Sequence, residues 1–305
     1  EAQSLAELVR EAFKTIERRG NVSLSGEPTG YAELDDMTCG LQPGELIIVA
    51  GRPSMGKTAF GLNLAEHLSI VERRPALFFS LEMSRQQIAQ RILCSRARVD
   101  SHRLRRGRHS HADLQRLTEV AHQLSSAPLL VDDTSDLTIL ELRARARMAF
   151  RRHQITAIFV DYLQLMRVPG SESRQVEVSM ISRGLKALAK DLRVPVIAMA
   201  QLNRGTEDKT RKGNRPRMSD LRESGAIEQD ADVIMLLHRE AYYRSGDDTE
   251  NADDNTAEVI IAKQRNGPTG DVKLAFNKQY TRFDNWIPEA AAPAYVPRSG
   301  DATPF

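Results

Sequence analysis

The sequence predicts an α/β chain, and three observations carry that prediction. Short apolar runs that read as buried strands recur along the 305 residues, among them 46–50, 76–81, 157–160 and 194–200. Stretches with apolar residues at three- and four-residue spacing lie between them, the mark of helices that cover a sheet. The third observation is the octapeptide Gly51-Arg-Pro-Ser-Met-Gly-Lys-Thr58, set between the first apolar run and the helical pattern of 59–68. Strand, glycine-bounded loop and helix is the context that makes G-x-x-x-x-G-K-T a phosphate-binding loop. The glycines let the backbone close around phosphate oxygens, and the amides of residues 54–58 face inward at a helix N-terminus. On this reading Ser54, Met55, Gly56, Lys57, Thr58 and Ala59 bind a nucleoside triphosphate. Lys57 bridges the β- and γ-phosphates as a point charge, and the Thr58 hydroxyl ligates Mg2+.

Composition bounds the rest. With 41% hydrophobic and 28% charged residues, the chain is globular and has apolar material for a large core. Cys39 and Cys94 lie far apart with no C-x-x-C and no clustered histidines, which argues against zinc and against a disulfide framework and fits a reducing cytosol. No apolar stretch is long enough to span a membrane, and no signal peptide is present, so no membrane partner is expected. The chain begins at Glu1 rather than Met, so a preceding domain is expected to be missing. Net charge is +2, which excludes a global polycation. Its distribution says more: fourteen arginines and no lysine lie between Arg85 and Arg152. Such a run is usually a solvated helical face, with subunit contacts or nucleic acid as the other reading.

Taken in order, the chain opens with a helix in which Leu5, Leu8, Val9, Ala12, Phe13 and Ile16 form one stripe, closed by Gly20. That stripe must be buried on its own core or on a neighbouring chain. Residues 21–30 read as a linker, and 34–45 lead into the phosphate-loop strand. The second strand ends at Glu82, ahead of a helix that opens at Ser84 with capping-box spacing to Gln87. A carboxylate there can orient an attacking water in line with the γ-phosphorus; its bland alternative is a helix-entry charge. A strand at 128–131 and a helix from Ile139 to His153 follow. The run 157–160 then delivers Asp161, a Walker B arrangement whose carboxylate can hold the Mg2+ shell through water. The strand of 194–200 delivers Gln201, an amide able to sense the γ-phosphate. Met199 and Met180 read as core fill.

Residues 203–217 carry six basic side chains without periodicity, which suits a phosphate backbone or a solvent loop. Strands at 231–237 and 256–262 follow, separated by the acidic stretch 247–254. The second runs into Lys263 and Arg265, which point the same way on an extended segment and could reach one anion. A hairpin, 272–276 with 280–284, precedes a Pro- and Ala-rich tail expected to be disordered.

Six segments now converge: G-R-P-S-M-G-K-T (51–58), F-F-S-L-E-M-S (78–84), F-V-D-Y-L-Q-L-M (159–166), A-Q-L-N-R (200–204), D-L-R-E-S-G-A-I-E-Q-D-A-D (220–232) and I-I-A-K-Q-R-N-G-P-T-G (260–270). Together they resemble the motor domain of the bacterial replicative DNA helicases, the DnaB family, from about Gly20 to Trp286. The resemblance implies a RecA-like fold, a mostly parallel twisted sheet flanked by helices and preceded by an amphipathic linker helix. It divides the chain into a linker helix (1–20), an ATPase domain (21–288) and a tail (289–305).

It further implies a homo-hexameric ring that hydrolyses ATP with Mg2+ between subunits and travels on single-stranded DNA in the cytoplasm. Primase and a helicase loader are the implied partners. By motif, Glu82 is the catalytic carboxylate, Asp161 the Walker B acid and Gln201 the γ-phosphate sensor. Arg265, with Lys263 beside it, is the finger supplied to a neighbour's ATP, while Arg222, Glu223 and Gly225 line a DNA channel. Two readings stay open beside the helicase, a RecA-like recombination ATPase and a non-motor ATPase that switches on nucleotide state.

Overall fold

A computed structural model of the chain describes residues 4–19, 24–202, 214–243 and 255–287. Most of the basic segment 203–217, the acidic stretch 247–254, residues 21–23 of the expected linker and the expected tail lie outside the described residues.

One nine-stranded sheet runs in the order β3-β2-β4-β5-β1-β6-β7-β8-β9. Its strands are β1 (Leu46–Gly51), β2 (Ala76–Ser80), β3 (Leu129–Asp132), β4 (Ala157–Asp161), β5 (Val196–Gln201), β6 (Val233–His238), β7 (Thr256–Gln264), β8 (Gly270–Asn277) and β9 (Arg282–Asn285). The first six pair in parallel and the last three are antiparallel. All six residues of β1 are buried, as a central parallel strand covered on both faces requires. Side chains alternate between those faces: Ile47 and Val49 enter one core, and Leu46, Ile48 and Ala50 the other.

The first core is covered by α2 (Ala32–Thr38), α3 (Lys57–Glu66) and α4 (Arg85–Ala97), and the second by α7 (Ile139–His153), α8 (Arg174–Leu192) and α9 (Gly225–Asp230). A small third cluster joins α4 to α6 (His111–Leu124) through Cys94, Val99, Leu117 and Val120, with the short α5 (Ser101–Arg105) between them. The helix starts follow capping chemistry. Ser84, Ser110 and Thr138 each close a capping box with the residue three positions on. Cys39 and Cys94 are free thiols. Among the described residues, no helix is long and apolar enough to cross a membrane.

Helix α1 (Leu5–Arg19) forms as the periodicity predicts, opened by Ser4 and Glu7 bonding each other's amides. Leu5, Leu8, Val9 and Phe13 are all exposed, so the described residues leave this part of the stripe uncovered. The two methionines part company. Met199 is fully buried against α3, where its Sδ–Cε end fills the space left by Gly61. Met180 is 47% exposed, which corrects its reading as core fill. It sits on α8 one position before Ile181, off the face that Val178, Ile181 and Leu185 turn to the sheet.

Candidate nucleotide site

Four adjacent parallel strands, β2, β4, β5 and β1, end on one side of the sheet, the edge where open α/β sheets hold ligands. Register sets the side chains there: Gly51 pairs with Gln201 and Ser80 with Asp161. The tips therefore bring the phosphate loop, Gln201, Asp161 and Glu82 around one cavity of about 390 Å3.

The loop has the backbone its glycines foretell. Ser54 and Gly56 have φ of 64° and 97°, and a Cβ on Gly56 would lie 3.0 Å from the Phe283 ring. Only glycine fits there without strain. Ser54, Gly56, Lys57, Thr58 and Ala59 line the cavity. Met55 does not: its side chain is buried in the core and its amide donates to the Arg52 carbonyl, a departure from the expected set. An apolar side chain in that turn is better placed under the loop than over it.

Lys57 donates to the Arg52 carbonyl at 3.1 Å, and burial pulls its pKa down against the opposing pull of Asp161 and Glu82. Asp161 is 1% exposed, and among the described residues neither carboxylate oxygen accepts a hydrogen bond of ordinary geometry, the Thr58 hydroxyl being its nearest candidate donor. Burial pushes its pKa up; the Thr58 hydroxyl, Lys57 and Arg91 oppose that shift, while Glu82 adds to it. A desolvated carboxylate with open lone pairs, next to a hydroxyl and facing phosphate space, is hard-oxygen chemistry that fits Mg2+. Among the described residues, no group of three or more His, Cys, Asp or Glu side chains could hold a metal by itself. A cation here would complete its shell with phosphate and water.

Gln201 is held by its neighbour strand's exit. Gln164 accepts from the Gln201 amide and donates to its carbonyl, both at 3.1 Å. Arg91 is a cavity residue that the sequence reading missed. It stands on α4 one turn beyond the buried Ile88 and directly before Ile92, so an arginine on the inward face of a capped amphipathic helix was the available signal. Phe276, Thr281 and Tyr162 complete the wall. Arg239 stacks on Phe276 at 3.8 Å and donates to the Ser54 carbonyl, bracing the loop from β6.

Lys263 and Arg265 stand apart from this cavity. Lys263 donates to the carbonyls of Glu228 and Ala231, at 2.5 and 2.7 Å, and Arg265 to that of Gln229 at 2.5 Å. Arg265 also lies 3.6 Å from buried Asp232, which Lys186 and the Leu46 amide hold from the other side. Both cations thus cap the C-terminal carbonyls of α9. Gly225 opens that helix, directly after a 3-10 segment, Met218–Ser224, that contains the backbone of Arg222 and Glu223. Their side chains lie outside the described residues.

A doubly covered parallel sheet with a phosphate loop, a buried strand-tip aspartate and a second carboxylate across the cavity defines a RecA-like P-loop ATPase domain. Residues 26–285 match the family model of the DnaB-like helicase C terminal domain. The chain belongs to that family. It is 46% identical over 290 residues to the replicative DNA helicase DnaB of Buchnera aphidicola (subsp. Schizaphis graminum), covering 93% of this chain and 61% of the relative. Against the replicative DNA helicase DnaB of Geobacillus stearothermophilus it is 45% identical, covering 93% and 62%. The chain therefore spans about three fifths of the curated relatives it matches. Among solved structures, the ATPase domain of G40P superposes with a TM-score of 0.86 at 35% identity, covering 94% of this chain and all of that one. A DnaB-like replicative helicase, described with its interactions with primase, gives a TM-score of 0.83 at 34% identity, covering 94% and 68%.

Proposed function

We propose that this chain is the motor of a replicative DNA helicase, hydrolysing ATP to travel on single-stranded DNA as a hexameric ring in the cytoplasm. The observation that carries the reading is a division of charge. Lys57, Thr58, Asp161, Glu82 and Gln201 converge on one cavity, whereas Lys263 and Arg265 are held on the far flank of β6, out of its lining. Arg265 keeps about half of its side chain exposed outside its own chain's cavity, which supports a role on a phosphate bound by a neighbouring subunit.

The loop amides and Lys57 bind the ATP phosphates, and Glu82 orients the attacking water. Gln201, fixed by Gln164, bonds the γ-phosphate. Thr58, and Asp161 through water, would hold Mg2+, which when bound would offset phosphate charge. Arg265 arrives from the neighbour to stabilise the charge that develops as the bond breaks, a contribution of about 10³–10⁵ in rate. Arg222, Glu223 and Gly225 face a strand's phosphates in the channel, so DNA binding is sequence-tolerant and weakens with salt. The exposed stripe of α1 docks on the adjacent subunit as a linker. Primase and a helicase loader are the partners that the family reading adds.

ATP turnover measured against chain concentration, with and without single-stranded DNA, tests this. Specific activity should rise steeply with concentration and rise further with DNA. Arg265→Ala should abolish hydrolysis and keep ATP binding. Wild-type turnover by Arg265→Ala would sink the assignment of the finger, and a monomer with full activity would sink the shared site.

A further inference from the structure

The arginine run of 85–152 is only partly explained by the nucleotide site. Arg91 enters the cavity, and Arg85, Arg96, Arg143, Arg145 and Arg147 are matched to carboxylates at 2.7 to 3.2 Å across the fold. Four others, Arg98, Arg103, Arg108 and Arg116, line a separate pocket of about 110 Å3 between the α5–α6 segment and the β8–β9 turn. Among the described residues, none lines both this pocket and the nucleotide cavity. We infer that this pocket binds a phosphate group.

The charge balance carries the argument. Two carboxylates of the lining, Asp100 and Asp113, face the four guanidinium groups, and both already accept hydrogen bonds. Asp100 accepts from the amides of His102 and Arg103, at 2.8 and 3.2 Å. Asp113 accepts from the Ser110 amide at 2.9 Å and from Arg116 at 2.5 Å. The Ser110 amide and hydroxyl, with Arg116, hold the Asp113 pKa down at about 2, so it stays an anion across the working range. Arg98 pairs with Asp284 at 3.3 Å. Arg103 and Arg108 have no ion pair within 4 Å among the described residues. Asp100 offsets part of the Arg103 charge from a distance, and four guanidinium groups against Asp100, Asp113 and Asp284 still leave the pocket cationic.

Backbone geometry puts those two arginines together. Gly107 has φ of 68°, and the turn it allows lets the Arg108 amide donate to the Arg103 carbonyl at 3.0 Å. Planar guanidinium forks are the side chains that match tetrahedral oxyanions bidentately. At about 110 Å3, against about 390 Å3 for the nucleotide cavity, the pocket suits one phosphate group rather than a whole nucleotide. The phosphate can come from free inorganic phosphate or from a nucleic-acid backbone, and one set of variants separates the two.

Thermal unfolding would be followed with the nucleotide site saturated by ADP, exchanging chloride for inorganic phosphate at constant ionic strength. Phosphate should stabilise the wild type saturably, with an apparent affinity at least tenfold weaker in Arg103→Ala/Arg108→Ala. Arg105→Ala/Arg106→Ala removes equal charge from the same segment outside the pocket lining and should behave as wild type. In parallel, the salt dependence of single-stranded DNA binding would be measured on each. A log–log slope reduced by about 1–2 in the pocket variant alone identifies backbone phosphate as the source. An unchanged slope with lost phosphate stabilisation identifies the free anion. Equal phosphate stabilisation and equal slopes in all three proteins, or equal losses in both variants, would overturn the site. Preserved stabilisation by ADP shows that each variant is folded, and Arg108→Gln, a single change at an exposed position, serves should the double variant fail that check.

Discussion

Asp161 shows at the scale of one residue how a site is built against stability. Among the described residues its buried carboxylate accepts no hydrogen bond of ordinary geometry, and burial lifts its pKa above the ordinary 3.8 against the opposing Thr58 hydroxyl. A raised folded pKa means that ionisation costs folding free energy: nothing is lost below the unfolded value, and the full cost applies above the folded one. Asp161→Asn should therefore stabilise the nucleotide-free chain by about 1–3 kcal/mol at neutral pH, with the gap closing as pH falls toward 3.8. Denaturant unfolding across that range checks it, and a gap independent of pH would refute the cause. The same variant should lose Mg2+-dependent nucleotide affinity, the usual exchange between stability and function. Arg91, the cation that Asp161 and Glu82 share with Lys57, makes a second case. Arg91→Ala should weaken nucleotide binding about tenfold, the scale of one charge-assisted hydrogen bond, in a titration with a fluorescent analogue.

Between elements, the closest packing lies under the phosphate loop. A Cβ on Gly61 would come 2.1 Å from Met199 Cε, so α3 rests on β5 through a glycine–methionine contact. Gly61→Ala gains about 1 kcal/mol of helix propensity but overpacks a fully buried site at about 1–3 kcal/mol. A net loss of about 1 kcal/mol should follow. Met199→Ala alone should cost about 2–5 kcal/mol, and less when combined with Gly61→Ala, since the new methyl fills part of the cavity. A double-mutant cycle by chemical denaturation should show coupling above about 0.5 kcal/mol, and additive losses would show that the contact is not shared.

For the whole molecule, the decisive feature is α1. A helix with Leu5 at 77% and Phe13 at 62% exposure cannot owe its stability to this chain's core. If a neighbouring copy covers the stripe, Leu8→Ser/Phe13→Ser should lower assembly mass and ATP turnover together, while ATP binding per chain stays within about twofold. Light scattering and turnover on the same samples decide it. Unchanged mass would place the partner of α1 on another protein.

Much was legible in the residues themselves. The phosphate loop, the capped helix at Ser84 and the strands ending in Asp161 and Gln201 follow from local spacing, because the chemistry of a turn or strand tip is set by its own few residues. The long helix α8 lies in the spacing of Val178, Ile181, Leu185 and Leu188, a signal that a strand-led reading does not use. Other features depend on residues far apart in the chain, and only folding supplies those. Strand order decided that Glu82 faces the loop across β4 and β5. Packing direction decided that Met180 faces out and Met55 faces in. Arg239 and Phe276 reach the site from more than 180 residues along the sequence, and no periodicity encodes that approach. The sequence determined the parts and their local chemistry, and the tertiary structure decided which parts meet, because a cavity is a property of distances between segments.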